Sequence, residues 1–206
     1  MFDPTANFNT LVKKVLWPSF KALDYKKSGN NFRYYDPAGW GKIVQFQKSQ
    51  GNSAAELRFT VNTGLYLPEV EQYLSGHPDG AAFTEPGCVV RHRLGELKGR
   101  KQDEWYLLTE SIDSSLLFKQ LAIDFQLTVH PYLAAITSRE DIYALLVAGH
   151  RSHYLPAQIR AMQEAGYEPA ARALFDGEWH RSASNQYYRE TLRKLATQLG
   201  LPNQPA

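Results

Sequence analysis

One cysteine, Cys88, is all the thiol chemistry this 206-residue chain holds. A lone thiol forms no internal disulfide and no multi-cysteine zinc site, so a reducing compartment is expected. Long apolar runs are missing as well. No stretch approaches the roughly 18 apolar residues of a membrane-spanning helix. The opening Met1-Phe2-Asp3-Pro4 has no basic stretch followed by an apolar one, so no secretory leader is read there. A soluble, cytoplasmic protein is expected. An excess of one charge is also lacking: 23 basic against 21 acidic residues leave a net charge of +2. Such a balance gives no overall pull toward nucleic acid or an anionic membrane, and neither is expected as a partner. There is no glycine-rich phosphate loop, dinucleotide fingerprint or Gly-x-Ser-x-Gly elbow, which removes the commonest nucleotide-binding and serine-hydrolase readings.

What is present reads as an ordinary globular chain. Hydrophobic residues make up 43% and charged residues 21%, enough apolar content for a sizeable core. Phe8, Leu11, Val12, Val15 and Leu16 recur at helical spacing and predict a first helix, capped by Asn7 and reaching Trp17-Pro18 or, through a kink, about Leu23. Lys26 to Asn31 reads as a turn-rich break. Strand patterns follow at 31–36, 42–48, 56–66, 88–94 and 104–109, with Gly51-Asn52-Ser53 as a hairpin connection. After Ser111 the period lengthens to about 3.6 residues. Ser138 and Asp141 form a capping-box pattern, Pro156 and Pro169 suit first helical turns, and Ser184 and Gly200 would bound the last helix. The expected architecture is α+β. It has an N-terminal helix packed on a mainly antiparallel sheet of four or five strands, then a helical C-terminal region. The expected division is an α+β domain over residues 1–136 and a helical extension over 137–206 on the same core.

The sheet pattern carries an anomaly. Alternate strand residues share a face. Gln45 and Gln47 therefore oppose Val44 and Phe46, Thr60 and Asn62 oppose Phe59 and Val61, and Arg91 and Arg93 oppose Val90 and Leu94. One face would be apolar, the other polar and basic. A solvated outer face of an antiparallel sheet needs no ligand. Amides and guanidinium groups, however, carry planar donors suited to carboxylate, phosphate or backbone recognition. Gln47, Asn62, Arg91 and Arg93, with Lys48 near the rim, are the candidate binding residues.

Four segments of the chain carry a likeness: Tyr25-Lys26-Lys27-x-Gly29-x-x-Phe32, Phe46-Gln47-Lys48-Ser49-x-x-Asn52, Phe59-Thr60-Val61-Asn62-x-Gly64 and Cys88-x-x-Arg91-x-Arg93-Leu94-Gly95. In order and spacing they resemble the bacterial family called domain of unknown function 4304, over about residues 8 to 110. Tyr25 stands where that family more often has Phe. The resemblance implies a small α+β domain without an established activity.

Enzyme chemistry has one motif to offer. Pro78-Asp79 followed by Glu96-Leu97-Lys98 is spaced like the acid, acid and lysine set of metal-dependent nucleases. Such acids belong on adjacent strands, whereas Asp79 and Lys98 both sit beside glycines in loop-like sequence. His150 and His153 straddle a helix end without a third ligand and read as surface residues. Cys88 and His92 would lie at opposite ends of one strand face, and Cys88 reads as a small core residue. No catalytic residue, metal or cofactor is assigned on these grounds. The expectation is a non-enzymatic binding protein, of immunity type in one form, whose partner is another protein or a small anionic ligand. The alternative is a metal-dependent hydrolase or nuclease using Asp79, Glu96 and Lys98.

Overall fold

A computed structural model describes residues 2–76 and 82–201. The N-terminal helix opens at α1 (Pro4–Thr10), widens into a π-helical stretch over Leu11–Leu16 and continues as α2 (Trp17–Lys21). Asp3, not Asn7, caps it: the Asp3 carboxylate accepts from Thr5 N at 2.8 Å and Ala6 N at 3.0 Å, and Pro4 fills the first turn. The helix passes Pro18 without ending. Proline has no N–H, and its ring crowds the carbonyl four residues earlier. Wider π turns just before it relieve that conflict. The same device recurs downstream, where a π stretch over Phe125–Val129 runs up to Pro131.

Six antiparallel strands follow: β1 (Lys26–Ser28), β2 (Asn31–Tyr35), β3 (Gly41–Lys48), β4 (Glu56–Tyr66), β5 (Val90–Arg93) and β6 (Tyr106–Thr109). Their order is β1-β2-β3-β4-β5, with β6 on the same edge of β4 as β5: Asn62 to Leu65 pair with β5, Glu56 to Phe59 with β6. The strand absent from the sequence reading is β1. Its three residues are exposed and charged or polar, and only pairing with β2 across the left-handed Gly29 (φ 56°) makes them a strand. Between β4 and β5 lies α3 (Pro68–Ser75), and after β5 the short α4 (Leu94–Leu97), neither anticipated from the sequence.

Helices then make up most of the remaining described residues: α5 (Ser114–Asp124), α6 (His130–Ala134), α7 (Arg139–Val147), α8 (Leu155–Glu164), α9 (Glu168–Arg181) and α10 (Gln186–Leu199). The Ser138–Asp141 capping box forms, with Asp141 N donating to Ser138 Oγ at 3.2 Å. Asn185 rather than Ser184 caps the last helix, accepting from Tyr188 N at 3.0 Å. One contiguous core cluster runs from Phe8 to Ala196 and so joins the N-terminal helix, the sheet and the C-terminal helices. At its centre the Phe46 ring lies 5.2 Å from Phe32 and 5.9 Å from Phe125. Such ring pairs add about 0.5–1.5 kcal/mol beyond area burial. No helix among the described residues is long and apolar enough to cross a membrane.

Candidate functional site

The strand register fixes two sheet faces. Phe46 pairs with Val61 and Val44 with Thr63, so those residues meet the helices. Gln45 pairs with Asn62, Asn62 with Arg93, and Gly64 with Arg91, so these occupy the other face. Half of that second face is not polar. Ile43, Tyr66, Phe83 and Cys88 form a small second core there, with the Tyr66 and Phe83 rings stacked at 4.4 Å. The segment Phe83 to Cys88 lies over it, held where Arg33 Nε donates to the Phe83 carbonyl at 2.6 Å. Beside this lid the face opens into a groove of about 530 Å³, lined by Asn31, Gln45, Gln47, Glu85, Arg91 and Arg93 among others.

Asn62, 3% exposed, lies beneath the groove. Its Nδ2 donates to Gln45 Oε1 at 3.1 Å and Gln47 Oε1 at 2.9 Å. Each glutamine carbonyl thereby accepts one hydrogen bond and is held toward Asn62, which leaves each Nε2 group as a donor for the groove. The two arginines are already paired. Arg91 grips the buried Glu85 with Nε at 2.7 Å and a terminal nitrogen at 3.0 Å, a two-pronged contact that raises the guanidinium pKa further. Arg93 pairs with Asp103, and its backbone N–H donates to Glu96 Oε2 at 2.8 Å. The groove is therefore polar and rich in donors, but its charge is largely compensated. The expected basic face is corrected to that extent: Glu85 and Asp103 come from outside the strands and follow no strand period.

Four of the five expected binding residues, Gln47, Asn62, Arg91 and Arg93, share this face. Lys48 does not. An odd step along β3 puts it on the helix side, where its ammonium sits 4.5 Å from the centre of the Phe8 ring. Gln45, Asn31 and Glu85 belong to the groove and were not among the expected residues. Gln45 was detectable, since it shares the period of Gln47; Glu85 carried no local signal.

The acid and lysine set is not assembled among the described residues. Asp79 lies outside them. Glu96 caps the turn after Arg93, and Lys98 is drawn away into Glu104 (2.9 Å) and Asp124 (2.8 Å). No group of three or more His, Cys, Asp or Glu arranged for a metal occurs among the described residues. Cys88 precedes the strand and faces the second core, while His92 faces the helices, so the two do not share a face.

His150 and His153 are not a surface pair either. The half-buried His150 ring packs edge-on against His92 at 4.5 Å, beside Tyr132 and with Glu96 Oε2 at 3.6 Å from His92 Nδ1. Burial lowers both imidazole pKa values below 6.5, and His150 lowers that of His92 further. As pH falls through 6.5 the unfolded chain takes up protons that the folded chain declines, so stability must fall. The loss ends once pH passes the folded-state values. Urea midpoints measured from about pH 7.5 down to about pH 5.5 should decrease, and His150→Gln should flatten that slope. A midpoint independent of pH over that interval would contradict the packing described.

Residues 16–135 match the family described as Domain of unknown function (DUF4304). The match covers more than half of the chain. The chain belongs to this family. All six strands, the groove and the His92 side of the histidine pair lie within the DUF4304 match, whereas α7 to α10 and His150 lie beyond it. No curated protein and no solved structure matches the chain.

Proposed function

We propose that the chain is a non-enzymatic binding protein and that its donor-rich groove receives a polar segment of another protein. The observation that carries this reading is the Gln45–Asn62–Gln47 amide triad, which fixes two Nε2 donors on the groove floor. Preformed donors in a concave site recognise carbonyl and carboxylate oxygens at small entropic cost. A free small anion is the less favoured occupant, because both arginines already have acid partners. A polypeptide offers the neutral carbonyls that such a floor can pair. No nucleophile with an adjacent base lies among the groove residues, which supports recognition rather than catalysis.

The test is affinity purification of the full chain from its native cell, beside the double variant Gln45→Ala/Gln47→Ala. The variant takes both acceptors from the buried Asn62 and should melt somewhat lower, so binding is compared at a temperature where both proteins are folded by circular dichroism. The expected result is a defined partner that co-purifies with the wild type and is lost with the variant. Each amide removed should weaken binding about tenfold, as a hydrogen bond of about 1–1.5 kcal/mol does. A partner retained undiminished by the variant, or a chain that always purifies alone, would refute the reading.

A further inference from the structure

A second cleft, distinct from the sheet groove, lies between α3, α8 and α10 and has a volume of about 360 Å³. Its walls divide by chemistry. Leu74, Pro156, Ala157 and Leu195 make an apolar strip, with Ala157 and Leu195 each only 5% exposed. Arg160, Lys194 and His153 supply the charged or chargeable groups, and among the described residues no carboxylate lines the cleft. Arg160 is held in place: its guanidinium lies 4.2 Å from the centre of the Tyr73 ring, and its Nε donates to Glu164 at 3.1 Å. Glu164 also accepts from the Tyr73 hydroxyl and does not line the cleft. Lys194 is exposed on α10 and has no acid partner among the described residues.

We infer that this cleft binds a small amphipathic carboxylate, with its apolar body against Leu74, Pro156, Ala157 and Leu195 and its acid group at Lys194. The volume sits at the low end of ligand clefts, about 300–1,000 Å³, and fits a single ring or a short acyl chain. A neutral ligand would leave Lys194 unmet, and a fully polar anion would gain nothing from the apolar strip. The combination selects a molecule with both parts. α8 and α10, which supply most of the cleft, lie outside the DUF4304 match, while α3 supplies Tyr73 and Leu74 from within it.

The probe is 4-phenylbutyrate, with 4-phenylbutanol as its neutral counterpart, titrated into the isotope-labelled full chain and followed by amide chemical shifts. Saturable shifts should centre on Ala157, Thr191 and Leu195. The alcohol should bind about tenfold more weakly, the weight of one charge-assisted contact. Lys194→Glu should reduce acid binding by a comparable factor and leave alcohol binding unchanged. Lys194→Gln, which keeps the length of the side chain without the charge, should lie between. Shifts confined to other surfaces, equal binding of acid and alcohol, or acid binding indifferent to both Lys194 variants would each overturn the inference. These outcomes are independent of the sheet groove, whose residues are untouched in every variant.

Discussion

Lys98→Ala is expected to destabilise the protein by about 3 kcal/mol, the lower end of what removing one partner from a buried ion pair costs. Lys98 Nζ lies 2.9 Å from Glu104 and 2.8 Å from Asp124, whose side chain is only 5% exposed. Asp124 also accepts from Tyr106 Oη at 2.5 Å and Gln120 Nε2 at 3.1 Å. Burial and that hydrogen bond both raise the Tyr106 phenol pKa, so the hydroxyl stays a donor across the usual pH range. These five side chains tie the end of α4 to β6 and α5. Without the lysine, Asp124 keeps its hydrogen bonds but is left as a desolvated charge without a cation. Chemical denaturation of Lys98→Ala beside Lys98→Met/Asp124→Asn distinguishes the cause. The double variant removes both charges, leaves Tyr106 an acceptor, and should recover most of the loss. A single variant within about 0.5 kcal/mol of wild type would mean that Lys98 acts as a solvated surface residue.

Gly64→Val should be equally damaging, for steric reasons. A Cβ at Gly64 would lie 2.6 Å from Cys88 Sγ and 2.9 Å from Ile43 Cγ2. Both neighbours are fully buried and packed with Tyr66 and Phe83, so neither can give way without opening the second core. Overpacking of this kind costs about 1–3 kcal/mol for a small insertion, and valine adds two further methyl groups to that of alanine. The consequence reaches the groove. Gly64 is the register partner of Arg91, and Arg91 holds Glu85, so lifting the segment around Cys88 displaces one groove wall. Thiol labelling reads this directly. Cys88 is buried, and its pKa is raised well above the ordinary value, so the wild type should react slowly with a disulfide reagent. Gly64→Val should melt lower and label much faster. Unchanged labelling together with an unchanged melting temperature would refute the close packing at this site.

The strands and their faces were legible because side-chain alternation is set locally by the backbone. Val44 and Phe46 inward and Gln45 and Gln47 outward follow from a period of two alone. The same rule, applied strictly, would have excluded Lys48 from the polar face. The long helical stripes were legible for the same local reason, as was the Ser138 cap. The ends were less so: Asp3 displaced Asn7 as the first cap because Pro4 suits the first turn, and Asn185 displaced Ser184 by one residue. β1 escaped notice because its residues have little strand preference and acquire the conformation from β2.

By itself, then, the sequence determined an α+β chain whose sheet carries amides and arginines on one face, because periodicity is written residue by residue. Tertiary structure alone decided what that face became. Phe83 and Cys88 cover half of it, and Glu85 and Asp103 neutralise its arginines. His150, from beyond the matched region, packs behind β5 against His92. Each of these partners meets the sheet from a loop or another element, at a sequence distance no strand or helix period encodes, so only the folded chain brings them together.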